Sequence, residues 1–335
     1  MKKIYYITAV FATLFLVGCG DGIDLPGVNV ETDLNKIPLP DNNVNLEQVE
    51  LKPSTEPMLH EGLHTEEDFQ RIRDKKAAGE EPWVSAYQLL VESQFSQKTA
   101  DTYPTEWIKR GVSGDENYMN AARGATIAYQ QALRWKIEQD DEYAAKAVEN
   151  LNKWVQTCVG VTGNTNLSLA AGLYGYEFAI AGELLRDYEG WDRADFAAFQ
   201  NWLLKVFYPA NDDFLKRHHD TNALHYWANW CLCNIAAKMA IGIVTDRRDI
   251  YNEGIDHLQT GDTNGRLRRA IYHDYAPDYN FAQWQESGRD QGHTLMCVGL
   301  MGVICQLAWS QGDDFFAYDD NLFMRACEYA ACCNY

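Results

Sequence analysis

Leu169-Ala-Ala-Gly-Leu-Tyr-Gly-Tyr-Glu-Phe-Ala-Ile-Ala181 is apolar almost all the way round a helical wheel, and the stretch from Trp227 through Ile243 repeats that character. A helix without a polar stripe has to be covered on every side. The stretch from Glu142 to Thr157 is different: its apolar residues recur at helical spacing and leave one charged face, as in a helix covered on one side only. Buried and half-buried helices therefore alternate along the chain. An inner ring of helices wrapped by an outer ring produces that alternation, with short loops joining antiparallel neighbours. The predicted fold is all-α, an (α/α) toroid of antiparallel helix pairs, with a plain helical bundle as the competing arrangement.

Working outward, helical signals follow one another with almost no strand signal between them. Thr65-Glu66-Glu67-Asp68 reads as a capping box that opens a helix through about Ala78. Further helices are predicted at about Trp83 to Gln94, Tyr118 to Gln139, Glu142 to Thr157, Leu167 to Tyr188 and Arg193 to Phe207. The second half adds Asn222 to Thr245, Asp249 to Leu258, Asp290 to Gln311, and Asn321 to the C-terminus. The stretch Asp274 to Gly288 breaks the period and is dense in polar and aromatic groups, the composition of a functional loop. The sequence stops at Asn334-Tyr335, directly after an apolar helical pattern and without a capping glycine. It reads as a truncated end that leaves part of the toroid open.

At the other end, Lys2 and Lys3 precede an apolar run from Ile4 to Val17, too short for a membrane span and suited to a signal peptide over 1–18. The run closes in Leu16-Val17-Gly18-Cys19, the pattern cut so that the cysteine becomes lipidated and N-terminal. Cys19 is thus expected to be an anchor, and residues 19–56, rich in Asp, Asn, Pro and Val, a flexible tether. The expected location is the outer membrane, on its periplasmic face or at the cell surface, with the N-terminal lipid as the only membrane contact. Residues 57–335 form the predicted catalytic domain.

With 46% hydrophobic and 13% aromatic residues in the chain as a whole, that body is globular. A formal net charge of -19 argues against nucleic acid as a partner, because phosphate binding needs a basic footprint. An acidic ligand would need a local positive field, which Arg266, Arg268 and Arg269 are placed to supply. Of nine cysteines, Cys19 is the anchor and most others lie in apolar helical stretches, where they behave as small hydrophobes. Disulfides through Cys231/Cys233 or Cys332/Cys333 are permitted outside the cytoplasm. No CxxC pair has zinc-like spacing, and neither a metal nor a cofactor is expected.

Three segments carry chemistry. Thr162-Gly163-Asn164-Thr165-Asn166 is a turn opening an apolar helix, and Asn also suits a plain N-cap. His218-His219-Asp220-Thr221-Asn222-Ala-Leu-His225-Tyr226-Trp227-Ala-Asn229-Trp230 combines histidine, asparagine and aromatic rings. On a helix, His225 and Asn229 would share one face and Tyr226 and Trp230 the next. Such a set suits a sugar subsite as well as a core stripe, whereas a metal reading of His218, His219, Asp220 and His225 lacks recognised ligand spacing. Gln283-Trp284-Gln285-Glu286-Ser287-Gly288-Arg289-Asp290-Gln291-Gly292-His293 delivers polar groups to the start of an apolar helix, either for substrate contact or as a buried Glu286/Arg289 pair.

These motifs, His225-Tyr-Trp-Ala-Asn-Trp, then Ala240-Ile-Gly-Ile-Val-Thr-Asp-Arg-Arg-Asp-Ile-Tyr-Asn-Glu, then Gln283 through His293, resemble the alginate lyase superfamily. The resemblance is nearest to polysaccharide lyase family thirty-eight and extends more distantly to family five. It runs from about residue 57 to the end. It implies an (α/α) toroid and metal-free β-elimination on a uronic-acid polymer such as alginate or glucuronan. In family five an Asn-His pair precedes Ser-Tyr-Trp; here the order is Asn222-Ala-Leu-His225-Tyr-Trp, so the neutralising asparagine is Asn164 or Asn229.

Elimination asks for groups that offset the carboxylate charge beside C5, a base for the C5 proton and an acid for the leaving oxygen. Asn164 and Arg289 are the candidates for the first task, His225 for the base, and Tyr272 ahead of Tyr275 for the acid or for a shared acid/base, which as a base would need a lowered pKa. Trp227, Asn229, Trp230, Trp284, Gln285, Glu286 and His293 are expected to contact substrate. Two rivals stand beside this reading. An inverting hydrolase on the same toroid would use carboxylates among Glu286, Asp290 and Asp220, and a non-catalytic glycan-binding lipoprotein would need only the rings.

Overall fold

The structure is a computed structural model and describes residues 54–276 and 279–333. The signal segment, Cys19 and nearly all of the tether lie outside the described residues. The body begins where Arg248 and Asn252 bind the carbonyls of Ser54, Glu56 and Pro57. Helix α1 (Glu66–Ala77) opens with the predicted capping box: Thr65 accepts the N–H of Asp68, and Asp68 accepts that of Thr65. Helix α2 (Trp83–Glu92) and strand β1 (Trp107–Arg110) follow.

The rest is a succession of antiparallel helix pairs. Helices α3 (Tyr118–Glu138) and α4 (Asp141–Thr157) form one pair, and strand β2 (Gly160–Gly163) leads into α5 (Leu167–Leu184). The return from α5 uses two helices, α6 (Arg193–Val206) and α7 (Tyr208–Arg217). Pro209 separates them: it lies in the first turn of α7, where a missing N–H costs nothing. Helices α8 (Ala228–Val244) and α9 (Arg248–Thr260) form the next pair, and α10 (Gln291–Ser310) and α11 (Tyr318–Cys333) the last.

Helices α3, α5, α8 and α10 are neighbours in series and run parallel, each followed by a returning outer segment. This is an (α/α) toroid. The inner α5 and α8 are buried on nearly every residue, while α4 buries only the face carrying Ala144, Val148, Leu151 and Trp154. At the far end, residues 59–64 run across the C-termini of the inner helices. Gln311 binds Leu59 and Glu61, Gly62 packs on Glu183, and His60 pairs with Asp246 at 3.1 Å. The N-termini of the four inner helices consequently share the opposite end.

Two expectations change. The helix predicted from Asn222 begins only at Ala228. Asn222 turns its side-chain oxygen onto the N–H of Leu224, and Asn264 takes the carbonyls of Leu224 and Tyr226. The N–H of Ala228, which would have closed a helical turn on Leu224, goes instead to Gln285 Oε1 at 2.8 Å. The stretch Asp274 to Gly288, expected as a loop, contributes strand β4 (Ala282–Trp284) to an antiparallel hairpin with β3 (Ile271–Asp274), with an extra residue, Tyr272, bulged between Ile271 and His273. Strands β1 and β2 pair in parallel. The eight described cysteines are free thiols, five of them buried.

Candidate active site

The segments that carry Asn164, His225 and Gln285 through His293 lead into α5, α8 and α10, and so lie at the end where the inner helices begin. The β1–β2 ladder sits above α3 and α5 and delivers Asn164, which is exposed. Asn164 accepts the N–H of Asn166 at 2.9 Å and lies over Gly111, where any Cβ would collide with its amide. Below the ladder, buried Arg110 places its guanidinium 4.7 Å from the ring centre of Tyr118, which stacks on Tyr174 of α5.

The connection from α7 to α8 carries the histidines. His218, His219 and Asp220 take left-handed backbone angles in succession, with φ of 49°, 51° and 59°. The turn sends His218 inward, buried and 3.5 Å from the Cys231 thiol, where loss of solvent pushes its pKa down to about 4. It sends His219 the other way, onto the first turn of α5: Nε2 lies 2.9 Å from Ser168 Oγ, and the ring also bonds the backbone of Thr165. His219 therefore stands beside Asn164, and burial lowers its pKa so that the imidazole is neutral near pH 7.

His225 is in the turn before α8, not on the helix, so it does not share a helical face with Asn229. It is half-buried and meets the ring of Tyr226 edge-on at 4.8 Å. Tyr226 is the hub of this cluster, with ring centres of His218 and His219 both 5.8 Å away and Trp230 4.7 Å away.

The third segment divides by burial. Trp284 is a core residue, fully buried with its indole N–H on the carbonyl of Ala326. Asn229 is also buried, its amide donating to Met296 Sδ, and Glu286 has no exposed side-chain surface. These three were expected at the sugar surface; the structure makes them the floor beneath it, because the motif turns inward to join α8 to α10. Gln285 caps α8, Trp230 packs half-buried on the core, and His293 Nδ1 is 2.6 Å from Asp290. Trp227 and Arg289 remain at the surface of the site, the guanidinium 5.4 Å above the indole ring.

The three arginines upstream have separate fates. Arg268 pairs with Asp274 and Asp319, binding the hairpin to α11, and Arg269 donates to the carbonyl of Asp262. Arg266 is half-buried and makes no ion pair among the described residues. It directly follows Asn264 and Gly265, which pack on Tyr226 and Cys231, so it lies at the same end as the histidines. Sequence reasoning gave Arg266 and His219 no individual role. Tyr272 is half-buried at the bulge, a device that re-aims a side chain, and burial raises its pKa. Tyr275 donates to Gln283 at 2.7 Å. The carboxylates a hydrolase would use are engaged: Glu286 in the floor, Asp290 with His293, Asp220 with Arg217. Among the described residues no three His, Cys, Asp or Glu side chains are grouped as metal ligands.

The family model described as Alginate lyase matches residues 72–332. The chain belongs to the alginate lyase family. Solved structures agree on the fold. A histidine-to-alanine variant of alginate lyase A1-III complexed with tetrasaccharide superposes with a TM-score of 0.63 at 12% identity, over 83% of this chain and 78% of that one. The enzyme itself, from Sphingomonas species A1, gives 0.58 at 12% identity, over 83% and 79%. An alginate lyase from Bacteroides ovatus gives 0.54 at 14% identity, over 80% and 82%. The comparison with curated protein sequences returns no match. Family membership supports a polysaccharide lyase, a carbon–oxygen lyase.

Proposed function

We propose that the chain cleaves a uronic-acid polymer of the alginate or glucuronan class by metal-independent β-elimination. The observation that carries this reading is that Asn164 with His219 beside it, and Arg289 over Trp227, lie where the inner helices of an alginate-lyase-family toroid begin. The positive ends of four parallel helices point there too, which favours an anion despite the net charge of -19. Asn164 and Arg266 or Arg289 would offset the substrate carboxylate as charge builds beside C5. His219, neutral and next to Asn164, would take the C5 proton; the C4–O bond breaks, the C4=C5 double bond forms, and Tyr272 protonates the departing oxygen. The protein's own cations and amides perform the charge offset, so the scheme asks nothing of a metal. We infer from motif order a relation nearer to family thirty-eight than to family five. Cys19 would anchor it by lipid to the outer membrane, at the start of the 19–56 tether.

The test is incubation with alginate, glucuronan and related polyuronates while following the ultraviolet absorbance of the conjugated double bond, with and without a chelator. Rising absorbance that survives chelation is expected. Saturated products would indicate a hydrolase, polymer retention without turnover a binding protein, and activity restored only by a divalent cation a metal-dependent mechanism.

A further inference from the structure

Glu286 sits wholly buried where α8 and α10 begin. Its Oε1 accepts the N–H of Asn229 at 3.3 Å, while Gln285 accepts the preceding N–H, that of Ala228. Its Oε2 has no hydrogen bond and lies 3.5 Å from Arg289 Nη1. Burying a carboxylate with one oxygen unsatisfied is costly. Helix capping does not explain that cost, because neutral Gln285 caps the adjacent N–H without it. The charged or ionisable groups around the carboxyl are Arg289, Asp290, Cys231 and Cys297; of these only Arg289 favours a negative charge there, beside the single N–H of Asn229. Desolvation outweighs that pull and raises the carboxyl pKa to about 7. Arg289 in turn lies over Trp227, the residue that leads into α8.

We infer that Glu286 is a positioning residue: from beneath the site it holds the Arg289 fork over Trp227, so that carboxylate and sugar ring of a polyuronate are met together. The inference rests on the polyuronate reading above and adds the group that sets its geometry. Trp227 and Arg289 are fixed to each other through the first turn of α8 and one buried carboxyl, which makes this corner of the site rigid without any contact between Glu286 and substrate.

A double-mutant cycle tests it, using Glu286→Gln, Arg289→Ala and the pair, with retention in an alginate-containing gel and KM and kcat as readouts. Glutamine keeps the acceptor for Asn229 and removes the charge. Glu286→Gln is expected to weaken retention and raise KM about fivefold or more with kcat within about twofold, and to add nothing once Arg289 is alanine. An equal loss with and without Arg289, or no loss in a folded variant, overturns the inference. If Glu286→Gln does not fold, Arg289→Lys decides: it keeps the pair but not the planar fork. Weaker retention at unchanged Tm is expected, and wild-type retention overturns it. A wild-type chain that is retained without elimination would sink the lyase reading and leave the cycle decided on retention alone; one that neither binds nor cleaves overturns both.

Discussion

His219 keeps its place against backbone preference. Three successive non-glycine residues in the left-handed region cost roughly 1–2 kcal/mol each, and the turn is held by the Thr221 hydroxyl on the carbonyl of His218 at 2.6 Å and by Arg217 on Asp220 at 3.0 Å. The turn lets adjacent histidines face opposite ways, one into the core and one onto Ser168. His225, held by a ring contact with Tyr226, has neither the Asn164 turn nor Ser168 beside it. His219→Ala is therefore expected to stay folded and lose about 10²–10⁴-fold in turnover, whereas His225→Ala keeps most of it. Double-bond absorbance reads the rates and circular dichroism the fold. The reverse order of losses would return the base to His225.

Between elements, one arginine joins the closed ends of two inner helices. Arg186, at the C-terminus of α5, binds Glu183 at 2.8 Å, Asp246 at 3.1 Å and the carbonyls of Ile243 and Val244 at the end of α8. The Arg186 and Glu183 side chains are 8% and 5% exposed, so the pair is poorly screened. Removing one partner of a buried pair strands the other charge and two carbonyls. Arg186→Ala should cost roughly 3–5 kcal/mol and lower the Tm without altering KM in the molecules that remain folded. A loss under about 1 kcal/mol would mean that water replaces the guanidinium. The site end, by contrast, is joined by Gln285 and Glu286, so the two ends of the toroid are secured by separate groups.

For the molecule as a whole, buried titratable groups set how stability varies with pH. Burial raises Glu177 from 4.5 to about 8 and Glu286 from 4.5 to about 7, and it lowers His64, His218 and His257 from 6.5 to about 4. An acid whose folded pKa is raised adds stability below its unfolded value and loses it as pH climbs to the folded one. A histidine whose folded pKa is lowered adds stability above 6.5 and loses it as pH falls toward 4. Between 4.5 and 6.5 the two groups oppose each other. Between 6.5 and 8 only the acids titrate, so the Tm should fall over that window. Glu177, with Oε2 buried and unbonded, carries most of the effect. Glu177→Gln is expected to remove much of the decline, by several degrees, in melts at pH 6.5 and 8.5. An unchanged decline would show that Glu177 is ionised at little cost in the folded protein.

Helix type and ring position were legible in the sequence because burial leaves a mark on composition: α5 and α8 are apolar on every face, and α4 on one. Thr65 and Asp68 announced a helix start because a capping box is local chemistry. The three chemical segments could be picked out for the same reason, as polar and aromatic groups beside apolar helices. Which of their residues meet the site was a tertiary matter. Asn264 and Gln285, distant in sequence, take the backbone groups that would have extended α8 to Asn222, and that removes His225 from the helix face it was expected to share with Asn229. His219 is brought to Asn164 by α7 returning along α5, a pairing no spacing within the chain reveals. Trp284, Asn229 and Glu286 look like sugar contacts in a motif, yet the join between α8 and α10 buries them. Sequence patterns record how much of a residue is covered; only packing decides what covers it, since the covering groups come from elsewhere in the chain.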